Sequence, residues 1–178
     1  MLNILIELCK KQQYASFYTD LTNSNKFIYG RVLAVDKDNI ALYLVSPDGV
    51  PDGIVVKRTC DIIRVEVNGL YAEKMQKLIV LHHSEVREYD LKSDKIVNSI
   101  LLLAHQTRHI ISIEILNSGY DDVVGFVNQL QDDLCVVKQI DMYGHEDGMS
   151  YIQIPDITQI SYDSGDEKRI MDLWQLNQ

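Results

Sequence analysis

One phrase occurs twice in this chain. "FIYGRVLAVDKDNIALYLV", beginning at Phe27, is answered by "DVVGFVNQLQDDLCVVKQI", beginning at Asp122. A shift of 95 residues places Gly30 on Gly125, Val32 on Val127, Asp38 on Asp133, Gly49 on Gly144, Asp52-Gly53 on Asp147-Gly148 and Asp61-Ile62 on Asp156-Ile157. The alignment holds over 83 positions without a gap and contains 13 identities. Several of these fall on Gly and Asp, the residues that turn and close-approach geometry selects. The chain therefore reads as one small unit built twice: 1–83, a charged linker at 84–95 ("SEVREYDLKSDK"), and 96–178.

Each unit opens and closes on a helix candidate. "LNILIELCKK" and "IVNSILLLAHQ" begin them, and "AEKMQKLIVLHH" and "EKRIMDLWQL" end them, with apolar residues at three- and four-residue steps. Between the helices the period falls to two: "ISIEI" puts Ile111, Ile113 and Ile115 on one face, and "IIRVEV" alternates Ile63, Val65 and Val67 with Arg64 and Glu66. Turn clusters such as "DKDN", "PDGVPDG", "QDD" and "GHEDG" divide each unit into about five short strands. Five strands are too few for a sandwich, whereas strands bent at a central glycine, here Gly30 or Gly125, can close into a small barrel. The expected fold is mainly β with flanking helices: two tandem five-stranded small barrels, each preceded and followed by a short α-helix.

Composition narrows the function classes. The 46% apolar and 24% charged fractions are those of a globular chain. No run approaches the roughly 18 apolar residues of a membrane span, and Glu7 interrupts the apolar opening, so a cytoplasmic protein without membrane contact is expected. Cys9, Cys60 and Cys135 are far apart and odd in number, which fits neither a disulfide framework nor a zinc knuckle. The net charge of −9 argues against a DNA-binding surface. That charge is uneven: the first unit has 10 basic and 9 acidic residues, the second 4 and 13, so the surfaces have diverged, either into a solubilising face on the second unit or toward two different partners, one of them basic.

A helix followed by bent strands with apolar-apolar-Gly-x-Val near the end of the first hairpin resembles the Sm-like (LSm-type) fold. "ISIEILNSGYDDVVGFVNQLQDDLCVV" carries the first Sm signature best, and "KRTCDIIRVEV" resembles the segment leading into the last strand. "YIQIPDITQISYD" is also similar to the closing strands of PRC-type barrels, another SH3-like small-barrel family that works through protein contacts. The Sm resemblance implies an RNA site made of an Asp and an Asn after the second strand and an Arg-Gly after the fourth. Asp36, Asn39 and Arg58 are the first unit's counterparts, with Asn39 one position early and Thr59 in place of the glycine. Gln131, Leu134, Gln153 and Ile154 occupy the matching places of the second unit, which lacks the signature.

From the residues alone, Lys57, Arg58 and Arg64 form a candidate anion or RNA patch, with Tyr43 for stacking; the second unit has Ile152, Gln153 and Gln159 there. His105 and His109 are spaced for one helical face but lack the accompanying Glu or Cys of a zinc motif, so no metal and no cofactor are expected. Asp61 and Asp156 read as turn residues, as Gly30 and Gly125 read as bend positions. No nucleophile elbow, phosphate loop or paired-carboxylate spacing occurs, and an enzyme is not expected. Leu2, Leu5, Ile6 and Leu8, Ile100 to Leu103, and Met171 with Trp174 exceed what a small barrel covers, which implies either helices that pack the two units together or self-association. The expected function is a non-enzymatic binding or assembly module acting through a protein partner or self-association; the alternative is single-stranded RNA binding by the first barrel.

Overall fold

The computed structural model describes residues 1–20, 22–84, 89, 91–92 and 94–178. Leu21, and residues 85–88, 90 and 93 of the proposed linker, lie outside the described residues. The chain divides into two compact units, Met1–Ile96 and Val97–Gln178. Among the described residues, no helix is long and apolar enough to cross a membrane.

In the first unit α1 (Leu2–Lys11) precedes β1 (Tyr14–Tyr18), β2 (Ile28–Val35), β3 (Asn39–Val45), β4 (Pro51–Arg58) and β5 (Arg64–Glu66), and α2 (Leu70–Leu81) follows. Lys10 and Lys11 fill the last turn of α1, where cations complement the helix dipole, and Gln12 ends it in the left-handed region at φ 51. Leu5 and Leu8 of α1 pack against Ala15 and Phe17, Val32, Ile40 and Leu42, Val55, and Ile62. The pairs 15/17 and 40/42 show the two-residue period that places one side of each strand against the helix.

The second unit repeats the plan with α3 (Ile96–Thr107), β6 (Ile110–Ile115), β7 (Val123–Gln131), β8 (Leu134–Ile140), β9 (Glu146–Gln153), β10 (Ile157–Tyr162) and α4 (Gly165–Leu176). The likeness extends to register. An extra residue interrupts β2/β3 between Val32 and Ala34, and β7/β8 between Val127 and Gln129; β3/β4 and β8/β9 shift between Tyr43 and Val45 and between Lys138 and Ile140. Each irregularity recurs 95 residues later. Gly30 and Gly125 share a cause as well, since a Cβ on Gly30 would be driven onto the carbonyl oxygen of Tyr43, and one on Gly125 onto that of Lys138. The repeated glycine marks a close approach of two strand backbones.

Closure into two barrels does not occur. Within each unit the strands form an open antiparallel order, β5-β1-β2-β3-β4 in the first and β10-β6-β7-β8-β9 in the second. β5 is only three residues long and pairs through one edge with Ser16, Phe17 and Tyr18 of β1; among the described residues no strand pairs with its other edge. β10 pairs with β6 and not with β9. The expectation of two closed five-stranded small barrels is corrected accordingly: the chain is mainly β with flanking helices, but open.

One anchor of the second unit is polar. Glu167 is buried at the start of α4, accepting hydrogen bonds from the Ser112 hydroxyl (2.6 Å) and the Ser164 amide (2.9 Å). Ser164 caps the helix in return, completing a capping box whose carboxylate also reaches β6.

Candidate functional site

The candidate cationic residues do not converge. Across β3 and β4, Asn39 stands opposite Arg58, whereas Ile40 stands opposite Lys57. Consecutive strand residues point to opposite faces. Lys57 therefore shares the face of Ile40 and Val55, at the rim of the core under α1, and Asn39 shares the other face with Arg58.

Arg64 lies on β5, separated from β4 by β1, β2 and β3 in the hydrogen-bonded order. Its guanidinium is engaged on three sides: over the Tyr18 ring, with Nε 3.5 Å from the Glu66 carboxylate, and with Nη2 donating to the Ser24 carbonyl at 3.2 Å. The Asp36 carboxylate is likewise occupied by its own turn, accepting from the amides of Asp38 (2.7 Å) and Asn39 (2.6 Å). Thr59, where the Sm signature has glycine, is buried and donates its hydroxyl to the Asp36 carbonyl at 3.1 Å. Tyr43 is buried and offers no exposed ring for a base. Asp61 and Asp156 close the 3-10 turns that follow β4 and β9.

The histidines are placed by packing. His105 Nδ1 lies 2.9 Å from the Val127 carbonyl, and the His109 ring packs on Tyr162 at 5.5 Å. Among the described residues, no group of three His, Cys, Asp or Glu side chains is arranged to hold a metal. Burial pushes the Cys9 thiol up and that of Cys135 to about 11, while Cys60 is exposed.

Two features stand out that the sequence reading missed, a largely buried aromatic cluster and an exposed apolar hairpin. In the first unit, Tyr14 stacks on Tyr29 (5.8 Å), Phe27 packs at a tilt against Tyr18 (5.2 Å), and Tyr71 of α2 meets Phe27 and Tyr29 edge-on at 4.9 and 5.5 Å. Burial, with the neighbouring Tyr14 and Tyr71 hydroxyls, pushes Tyr29 up to about 12. The Tyr29 hydroxyl and Arg31 Nε are buried without a hydrogen-bond partner among the described residues. The signal was available in "YASFY" and "FIYGR", where Tyr14, Ser16 and Tyr18, and Tyr29 and Arg31, recur every second residue. In the second unit, the β8–β9 hairpin exposes Met142, Tyr143, Met149 and Tyr151. No family model, curated protein or solved structure matches the chain.

Proposed function

We propose that the chain is a cytoplasmic, non-enzymatic binding or assembly module that works through protein–protein contacts, related to the Sm-like proteins by its sequence pattern. The observation that carries this reading is the β8–β9 hairpin with its four exposed large apolar side chains. Grouped apolar exposure of this kind is characteristic of interaction surfaces. The acidic balance of the second unit adds selectivity for a basic partner.

RNA binding through the first unit has weaker support. Lys57 and Arg58 project to opposite faces, and Arg64 is already bound to Glu66, Tyr18 and the Ser24 carbonyl. A phosphate-tracking groove needs cations on one surface. The test is fluorescence anisotropy with a labelled single-stranded RNA, run beside light scattering with absorbance at 260 and 280 nm. The expected outcome is protein free of nucleic acid and no saturable RNA binding. Saturable, salt-sensitive binding lost in Arg58→Ala would replace this reading with the RNA one.

A further inference from the structure

β9 ends the hydrogen-bonded order of strands. It pairs with β8 on one side, from Leu134 opposite Gln153 to Ile140 opposite Glu146. Every second residue of a terminal strand turns its N–H and C=O outward, so this edge is a template for one more strand. Natural edges are commonly blunted by proline or by charge along their length. Past the bulge at Asp147-Gly148, where Gly148 takes φ 82, β9 runs Met149-Ser150-Tyr151-Ile152-Gln153 with neither.

The side chains on this edge are unusual for their place in the repeat. Met149 and Tyr151 are 43% and 71% exposed; the residues 95 positions earlier, Ile54 and Val56 of β4, are 1% and 2% exposed. The same strand position is thus buried in one unit and presents large apolar side chains in the other. The bulge also alters what accompanies them. Lys138 and Ile140 lie two apart on β8 and so share a face; their partners Met149 and Glu146 therefore share one too, although three residues separate them. Glu146 is held by the Lys138 ammonium, while Asp147, in the bulge, is exposed.

We infer that the β9 edge receives an extended segment of a partner protein as an added strand, and that this segment carries apolar residues at alternate positions flanked by Lys or Arg. The inference rests on the protein-contact reading above and names its site and the chemistry of its partner. Main-chain hydrogen bonds to β9 hold the segment, its apolar side chains lie beside Met149 and Tyr151, and its cation meets Asp147 in a unit with 13 acidic and 4 basic residues.

The probe is the labelled peptide Lys-Thr-Val-Thr-Val-Thr-Lys, titrated into the full chain and compared with Glu-Thr-Val-Thr-Val-Thr-Glu. The Lys peptide is expected to bind at least about tenfold more tightly, with amide shifts centred on residues 149–153. N-methylation of one alternating set of peptide nitrogens should abolish binding and methylation of the other set should not, because a strand offers only alternate N–H groups to its neighbour. The exposed-site variant Met149→Ser/Tyr151→Ser should lose about tenfold in affinity with its unfolding midpoint unchanged. Absence of saturable binding, shifts elsewhere on the surface, or indifference to both methylation patterns would overturn the proposal. Self-pairing is also visible: β9 shifts on concentrating the protein alone, with a mass rising to the dimer, would assign the edge to a second copy. That result would sink this proposal and spare the protein-contact reading, whereas RNA binding in the earlier experiment would sink that reading without involving β9.

Discussion

The guanidinium carbon of Arg64 stands 3.6 Å from the centre of the Tyr18 ring, its cross-strand partner between β5 and β1. Tyr18 in turn donates its hydroxyl to Glu66 at 2.7 Å, and Glu66 faces Arg64. Three residues thus secure the short strand β5 to the sheet. Arg64 acts as a clasp within the first unit.

Arg64→Ala should therefore destabilise the first unit by about 1 kcal/mol, the scale of an exposed cation–π contact with a surface ion pair. Urea unfolding measures it, and Arg64→Lys should recover only part because a lysine cannot stack its head group flat on the ring. A loss near zero would mean that β5 is held by its backbone alone.

Gly30→Ala and Gly125→Ala should each cost about 3 kcal/mol, since the new methyl meets a carbonyl on a neighbouring strand and no rotamer relieves it. Gly69→Ala is the comparison: its Cβ would enter open space, so in thermal unfolding it should lose only the preference of a helix N-cap for glycine over alanine, about 1 kcal/mol.

Glu167→Ala should destabilise the second unit by about 2 kcal/mol, because it strands the buried Ser112 hydroxyl and removes half of the capping box. Glu167→Gln retains the acceptor oxygen and should cost less. Equal losses in the two variants would mean that the carboxylate charge, not the hydrogen-bond geometry, holds α4.

Tyrosine ionisation supplies a pH test. Tyr29 titrates near 12 in the folded state and near 10 in an unfolded chain, so its neutral form is favoured by folding. Its contribution is complete below pH 10 and is lost as pH rises through 12. Burial raises Tyr14, Tyr18 and Tyr71 as well, so absorbance titration at 295 nm should show several late-ionising tyrosines, with a component near 12 that is lost in Tyr29→Phe. If Tyr29→Phe removes a component centred near 10 instead, the hydroxyl is solvated.

Much of the local architecture could be read from patterning. The strand Ile110–Ile115 follows from "ISIEI", and the repeat offset carries through to the register slips of β2/β3 and β7/β8 and of β3/β4 and β8/β9. Closure could not be read, because it depends on which strand ends meet, and alternation reports faces and not neighbours. "IIRVEV" has five alternating residues, 63–67, but only Arg64–Glu66 pair as a strand: the amide of Ile63 is taken by the Tyr18 carbonyl at 2.9 Å. The separation of two candidate cations was legible as well. Lys57 and Arg58 are adjacent in a strand, and the two-residue period alone separates them. Of the partners of Arg64, Glu66 was within reach two positions along the same strand, whereas Tyr18 lies 46 residues away in sequence. Glu167 was hidden because a capping glutamate and a buried one look alike until β6 is placed beside α4.

The extra residues Leu33 and Asn128, which sit in the matching slips of β2 and β7, bear on how two such units can drift apart. Inserting or deleting one residue in a strand exchanges its inward and outward sets for the rest of its length. A change of length in either copy would turn polar side chains into the core, while a change of side chain on the outer face costs little. The tolerated route was substitution in place, which accounts for 83 positions aligning without a gap while most of their chemistry differs. The two halves kept a common measure and exchanged their vocabularies.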